Sequence, residues 1–307
     1  MRVRVRVRSA RAAFPPVPAV ISAIVSTYNR PDFLGRVLWG WAVQTRGDFE
    51  LVIADDGSTE ETAALIDRMR NETRLDIVHV WHEDKGFRKT EILNRAILAA
   101  RGELHLFSDG DCIPRADLVA THYELARPGH FLAGGYLKLP AHVSANIGVE
   151  DVKAGRHADL RWLRRQGWRP GRRALRLTKS RTLARIYDRL TPTSADFQGN
   201  NTSVWKTDLI AANGFEGLMG YGGLDQALGY RLENMGVKGI QARHRAITMH
   251  LHHDRPYRRD DVRRRNREIM ADIKRQKLTR ARQGIAELAP DPSLRVNGRP
   301  VHETRSA

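Results

Sequence analysis

From residue 19 onward, short apolar runs alternate with segments whose apolar residues recur at helical spacing. That alternation restricts the chain to an open α/β sheet with helices on both faces. "AVISAIVST" reads as a buried strand; Pro31 then suits a first helical turn, and Phe33, Leu34, Val37, Leu38 and Trp41 fall on one side of the helix. "ELVIADDGS" reads as a second strand and turn, "EETAALIDRMR" as a helix, "LDIVHVW" as a third strand, "RKTEILNRAILAAR" as a helix and "ELHLFS" as a fourth strand. In sheets of this kind ligands collect outside the carboxyl ends of the strands.

Three of those ends carry polar clusters. The first is "STYNRP", with Thr27 and Asn29; the second is "ADDGST", with Asp55 and Asp56; the third is "SDGDC", with Asp109 and Asp111. Each alone could be an ordinary turn and helix cap. Together they gather carboxylates on one edge of a strongly basic protein, and paired carboxylates with no cation between them repel and raise one pKa. A hard divalent cation, Mg²⁺ or Mn²⁺, removes that repulsion and completes its shell with phosphate oxygens and water. Asp111 is then a metal ligand, and Asp109 shares the metal or binds sugar hydroxyls.

Composition narrows the partners. The formal charge of +17 predicts attraction to polyanions: nucleic acid, anionic lipid or phosphorylated small molecules. Cys112 is the only cysteine, which excludes an intramolecular disulfide and a multi-cysteine zinc site and fits a reducing compartment. The N-terminus, "MRVRVRVRSARAAFPPVPAVISAIVS", starts like a signal peptide, but Pro15, Pro16 and Pro18 interrupt its apolar run. Residues 1–18 are therefore read as a basic arm. No segment approaches the roughly eighteen uninterrupted apolar residues of a membrane span.

The blocks "SAIVSTYNRPDFLGRVL", "ELVIADDGSTEET", "HEDKGFRKTEILNRAI" and "GELHLFSDGDCIP" resemble, in order and spacing, the successive motifs of family 2 glycosyltransferases with the GT-A fold. The later "QGNNTSVWKTDLIAANGF" and "GYGGLDQALGYRLENMGVKG" are similar to the galactosyltransferase-type C-terminal half of chondroitin-polymerase-like bacterial enzymes. The resemblance covers residues from about 19 to about 253, interrupted by a long basic segment. It implies an α/β fold of the GT-A type: an open mixed sheet whose Rossmann-like, nucleotide-sugar-binding half, 19–137, is fused to an acceptor-binding half, 138–257. A basic insert, 153–190, lies within the second half, and a charged helix and fraying tail, 258–307, follow it.

The resemblance also implies roles. Thr27, Asn29, Asp55 and Asp56 would meet the nucleoside of a donor, commonly a UDP-sugar. Gly86 would permit close approach of the diphosphate, and Arg88 would contact phosphate or ribose, as a guanidinium suits. Asp109 and Asp111 would be the DxD pair holding Mn²⁺ or Mg²⁺, with Asp109 also near the donor. In "GYGGLDQAL" Asp225 would be the base of an inverting transfer, although Leu224 stands where the family usually has Glu, which touches acceptor choice and competence. Near "TMHLHHDRP" the metal-binding histidine would be His253, with His250 second, while strand alternation alone would pair His250 with His252. Asn200, Asn201, Tyr221, Gly222 and Gly223 would line the acceptor side.

In the insert, Trp162, Leu163 and Trp168 among arginines could rest in a lipid headgroup layer, cover the acceptor cleft, or belong to a solvated loop. The partners implied are a nucleotide-sugar, a glycan or lipid-linked acceptor and, optionally, an anionic membrane; the setting is cytoplasmic, with peripheral contact at the inner face of the plasma membrane compatible. Rival readings are an impaired glycosyltransferase-like protein, a sugar nucleotidyltransferase, for which "STYNRP" lacks the usual Gly-rich phosphate loop, and a basic nucleic-acid binder, for which no zinc-finger spacing or helix-turn-helix is present.

Overall fold

The computed structural model describes residues 20–191, 193–254 and 259–301; the arm expected at 1–18 lies outside them. β1 (Ile21–Thr27) and β2 (Phe49–Asp55) are buried along their whole length, because helices cover both faces of the sheet. Alternate residues serve two cores. Ile21, Ala23, Val25, Leu51 and Ile53 meet α1 (Pro31–Ala42) and α2 (Glu60–Glu72), while Ile24, Val52 and Ala54 lie in the opposite core with residues of α3 (Lys89–Ala99). Pro31 opens α1, and its apolar stripe is the one expected from spacing. β3 (Asp76–Trp81) and β4 (Leu104–Asp109) complete a parallel run in the spatial order β3, β2, β1, β4.

The chain then builds the other side of the same sheet. β5 (Cys112–Pro114), α4 (Leu118–Leu125) and β6 (His130–Lys138) lead into the short helices α5 (Ala141–Asn146), α6 (Val149–Lys153) and α7 (Leu160–Arg165), a helical turn at Gly171–Leu177, and α8 (Arg181–Leu190). β7 (Thr202–Trp205), α9 (Lys206–Ala211), α10 (Leu224–Asn234), β8 (Lys238–His250) and α11 (Asp260–Gln276) follow, and β9 (Arg295–Val296) and β10 (Arg299–Pro300) end the described chain. The full order is β10-β9-β3-β2-β1-β4-β7-β6-β8-β5. β7 runs antiparallel to β4 and β6, β8 runs parallel to β6, and β5 closes the far edge antiparallel to β8. The expected open mixed sheet is therefore one continuous sheet, crossing the 137/138 boundary between the two expected halves through β6.

Two expectations are corrected. Leu163 and Trp168 of the insert are buried in the core and Trp162 packs partly against it, so the insert is folded and the first two cannot reach a lipid surface. The C-terminal segment, over its described residues through 301, is also bound rather than frayed. Ala281 and Ile285 donate to the carbonyls of Ala212 and Asn213, Glu216 accepts from the backbone of Arg282 and Gln283, and β9 pairs with β3.

β6 and β8 change register between Gly134 and Gly135, and Asn201 fills the irregularity. Its Nδ2 donates to the carbonyls of Gly135 (2.8 Å) and Ala246 (3.0 Å), and its Oδ1 accepts from His122 Nε2 at 2.9 Å. A Cβ on residue 134 would strike the Asn201 amide, which explains that glycine. Because Asn201 Oδ1 only accepts, His122 carries its proton on Nε2 and takes the Ser203 hydroxyl on Nδ1.

Asn201→Ala is expected to lower stability by about 2–4 kcal/mol, since it strands several buried polar groups. Urea unfolding checks this through a lower midpoint at unchanged slope. Burial also depresses the pKa of His105, His122 and His157 to about 4. These rings stay neutral in the folded chain while the unfolded chain takes up protons near pH 6.5, so stability should fall as pH drops from about 6.5 toward 4. Thermal melts across that window read the loss directly.

Candidate functional site

The carboxyl ends of β1, β2 and β4 lie side by side, and backbone alternation sorts the acids there. Asp55 and Asp56 are neighbours and point to opposite sides. Asp55, wholly buried, faces His79 Nε2 at 2.9 Å and accepts from the Ser58 backbone N–H at 2.8 Å. This corrects the donor-binding role given to Asp55: its carboxylate is consumed inside the protein. Asp56 faces His82 Nε2 at 2.8 Å and accepts from the Arg88 backbone N–H at 3.1 Å. Burial raises the Asp56 pKa, against the pull of His82. His79 lies within β3 and His82 just past its end, and strand periodicity alone singles out neither.

Thr27 is buried, and its carbonyl accepts from the Asp56 N–H, locking the two strand ends together. Asn29 is a staple between loops. Held at φ 47°, it accepts from Thr59 N–H at 2.9 Å on Oδ1 and donates its own N–H to Ser58 Oγ at 2.8 Å. Gly86 is required by its φ of 83° rather than by crowding, since nothing lies within 4 Å of where a Cβ would be. Arg88 does not face the carboxylates of the cleft. Its guanidinium bonds Glu91 (3.3 Å), Asp291 (3.2 Å) and the Glu83 carbonyl, a fixed position between α3 and the C-terminal segment.

The cation that reaches the carboxylate of Asp109 is the neighbour of Arg88. Lys89, the first residue of α3, places Nζ 2.7 Å from Asp109 Oδ1, which also accepts from Ser26 Oγ at 2.8 Å. Burial opposes the charge on Lys89, but Asp109, with Asp225 and Asp111 beyond it, outweighs that and raises its pKa. The sequence held this signal in "RK" at a helix start, where a cation faces the positive end of the dipole.

Asp111 turns the other way. The antiparallel pairing of β5 with β8 sets Cys112 opposite His250, and the chain beyond β8 folds back so that the His253 ring stacks on His250, centroids 5.3 Å apart. Asp111 Oδ2 is 2.8 Å from His253 Nε2 and 3.8 Å from His250 Nε2, and Cys112 Sγ donates to Asp111 Oδ1 at 3.2 Å. Burial alone would raise the Asp111 pKa; the two histidines and the thiol hold it at about 2. The expected repulsion between Asp109 and Asp111 is thus removed by giving each its own partners. His252 is exposed, because the strand ends at His250 and alternation ends with it.

These groups fit a divalent cation. Nδ1 of His250 lies 2.6 Å from the Leu251 carbonyl and Nδ1 of His253 lies 2.8 Å from the Asp254 carbonyl, so each Nδ1 carries the proton. Both Nε2 lone pairs then point at a carboxylate, an arrangement of acceptors that calls for a proton or a metal among them. The three ligand atoms lie within 4.8 Å of one another.

Beside Asp109 opens a cavity of about 310 Å³, walled by Lys89, Tyr221, Gly222, Leu224, Asp225 and Arg263 among others. Asp225 stands in the first turn of α10, and its Oδ2 accepts from Gly199 N–H at 3.0 Å; burial pushes its pKa up. Gly222 and Gly223 take φ of 109° and 82° in the loop before it. Asn266 of α11 clamps that loop, donating from Nδ2 toward the carbonyls of Gly220, Tyr221 and Gly222 at 2.9, 3.3 and 2.7 Å. Tyr221 meets Phe87 edge-on at 6.1 Å. Asn200 is half-buried with Oδ1 out of solvent and without a hydrogen bond among the described residues, whereas Asn201 is turned into the core and is no part of the cavity wall. Arg263 and Asn266 were missed because α11 reads in sequence only as a charged helix.

Residues 22–136 match the family model "Glycosyl transferase family 2". Over 265 residues the chain is 30% identical to validoxylamine A glucosyltransferase of Streptomyces hygroscopicus subsp. limoneus, an alignment covering 78% of this chain and 57% of that protein. It is 34% identical over 92 residues to the poly(ribitol-phosphate) beta-N-acetylglucosaminyltransferase TarS of Staphylococcus aureus, 29% of this chain and 16% of TarS. Among solved structures, TarS superposes with a TM-score of 0.54 at 16% identity, covering 84% of this chain and 41% of TarS. A mannosyltransferase from Pyrobaculum calidifontis, solved with GDP-Man and Mn²⁺, superposes with a TM-score of 0.51 at 20% identity, covering 78% of this chain and 59% of that one. The chain thus spans little more than half the length of the validoxylamine relative. Residues 22–136 thus form a domain that matches the family 2 glycosyl transferase model, carried on an open mixed sheet whose fold the two solved glycosyltransferases share.

Proposed function

We propose that the chain is a metal-dependent, inverting glycosyltransferase that moves a sugar from a nucleotide donor, UDP-linked in the first instance, to an acceptor hydroxyl on a glycan or lipid-linked glycan. The observation that carries this is the convergence, at one sheet edge, of a ligand set, a cation and a buried carboxylate. Asp111, His250 and His253 would hold the metal; two imidazoles beside one carboxylate suit Mn²⁺ better than Mg²⁺. When bound, that ion neutralises the departing diphosphate.

The other steps belong to side chains of this chain. Lys89 pairs with Asp109 and adds a positive charge where phosphate oxygens arrive. Asp225, oriented by the Gly199 N–H, takes the proton from the acceptor hydroxyl as it attacks the anomeric carbon. Burial raises the Asp225 pKa, which makes its carboxylate a stronger base than an exposed aspartate. Asn266 holds the Gly220–Gly223 loop so that Asp225 keeps its place. Leu224 gives the acceptor side an apolar wall where the family resemblance led one to expect a carboxylate. Assembly of surface polysaccharide in the cytoplasm is the setting this reading favours; among the described residues no helix is long and apolar enough to cross a membrane.

Titration calorimetry with UDP and GDP, with Mn²⁺ and with chelator, tests the donor site, and product formation from a panel of UDP-sugars tests transfer. Chelator and Asp111→Asn should each abolish nucleotide binding. Asp225→Asn should bind the nucleotide as the parent does and lose transfer by about 10²–10⁴-fold. Near-parental turnover in Asp225→Asn would remove the base assignment. The acid limb of the parent's rate should lie above the ordinary aspartate range near 4, because protonation of Asp225 silences it.

A further inference from the structure

The helix α8 carries its apolar stripe on the wrong side. A surface helix ordinarily lays that stripe on the protein and its charges in water. In α8 the residues turned to the body are Ala184 and Asp188, 4% and 8% exposed, while Leu183, Ile186 and Leu190 stand 44%, 41% and 73% exposed. Positions 183, 186 and 190 follow helical spacing and share one outer face. Leu175, on the turn before the helix, is 44% exposed as well.

The rotation of the helix is set by Asp188 rather than by apolar burial. Its Oδ1 accepts from the His244 backbone N–H at 2.9 Å and faces His244 Nδ1 at 3.0 Å, and its Oδ2 accepts from Arg245 Nε at 2.6 Å. A buried carboxylate with these partners locks the helix to β8 and leaves the aliphatic side in water. An outward apolar stripe held in place so firmly gains no burial from the described residues.

The charges around it say what. The exposed cations of this segment are Arg172, Arg173, Lys179, Arg181, Arg185 and Arg189, of which Lys179 and Arg181 pair with Asp159 and Glu124, and the lone acid between 171 and 190 is the inward Asp188. We propose that the outer face of α8, with the turn before it, docks on an anionic lipid surface. The aliphatic side chains would enter the headgroup and acyl boundary while the arginines meet lipid phosphates. A second copy of the chain suits the face less well, because it would set arginine against arginine in a protein of formal charge +17. The inference is independent of the transfer chemistry, since none of these residues lines the cavity holding Asp225.

Co-sedimentation of the full chain with vesicles of phosphatidylcholine alone, and of phosphatidylcholine mixed with phosphatidylglycerol, tests it. The parent should pellet with the mixed vesicles and not with the neutral ones, less so as salt is raised. The triple variant Leu183→Ser/Ile186→Ser/Leu190→Ser should keep its melting transition, because these side chains are exposed, and should partition at least about tenfold more weakly. Arg185→Gln/Arg189→Gln, retaining the stripe, should also bind more weakly. The proposal is overturned if the parent ignores both vesicles, if it binds both equally, or if the serine variant binds as the parent does. A dimer by light scattering that the serine variant dissolves, with no vesicle binding, would assign the face to a second copy instead.

Discussion

The site depends on one strand pairing. β5 contributes only Cys112–Pro114, yet its antiparallel register with the end of β8 sets Cys112 against His250 and so brings Asp111 to the two stacked imidazoles. Segments that lie far apart in the chain become a single ligand cluster through a few backbone hydrogen bonds. On its other side β8 meets β6 with an irregularity, where Gly134 leaves room for Asn201 and Gly135 for the Arg243 backbone, and Asn201 ties Gly135, Ala246 and His122 together.

The electrostatic plan of the cleft separates charges that the sequence presents side by side. Asp55 is paired from within with His79, and Asp56 is held by His82 and the Arg88 backbone. Asp109 goes to Lys89 and Asp111 to His250 and His253. In each case the separation follows from a backbone that turns successive or alternate side chains in different directions. A strongly basic chain can thus concentrate acids at one edge without forcing them to share a field.

The C-terminal region works as a brace. Asn266 of α11 gathers the carbonyls of the glycine loop ahead of Asp225, and Asp291 holds Arg88 beside α3. β9 then extends the sheet from β3, with Asn297 accepting from the His79 N–H and thereby reaching the strand that carries the partner of Asp55. Nothing in the composition of this region announces such contacts: its polar residues bond to backbone groups of distant segments, and backbone groups leave no mark in a sequence.

Local pattern alone determined the strand and helix order through residue 109, the two-sided burial of β1 and β2, and the gathering of polar residues at the strand ends, because periodicity and turn chemistry act over a few residues. The family resemblance, carried by ordered motifs, pointed to Asp111, Asp225, His250 and His253, which the fold brings to one edge of the sheet. Only the tertiary structure decided that Lys89 rather than Arg88 enters the cleft, that Asp55 and Asn201 serve the interior, and that Leu163 and Trp168 are core while the outer side of α8 is bare. Those outcomes turn on which way a side chain points and which distant backbone group meets it. Such directions are set when strands from opposite ends of the chain pair, not by the residues that flank them.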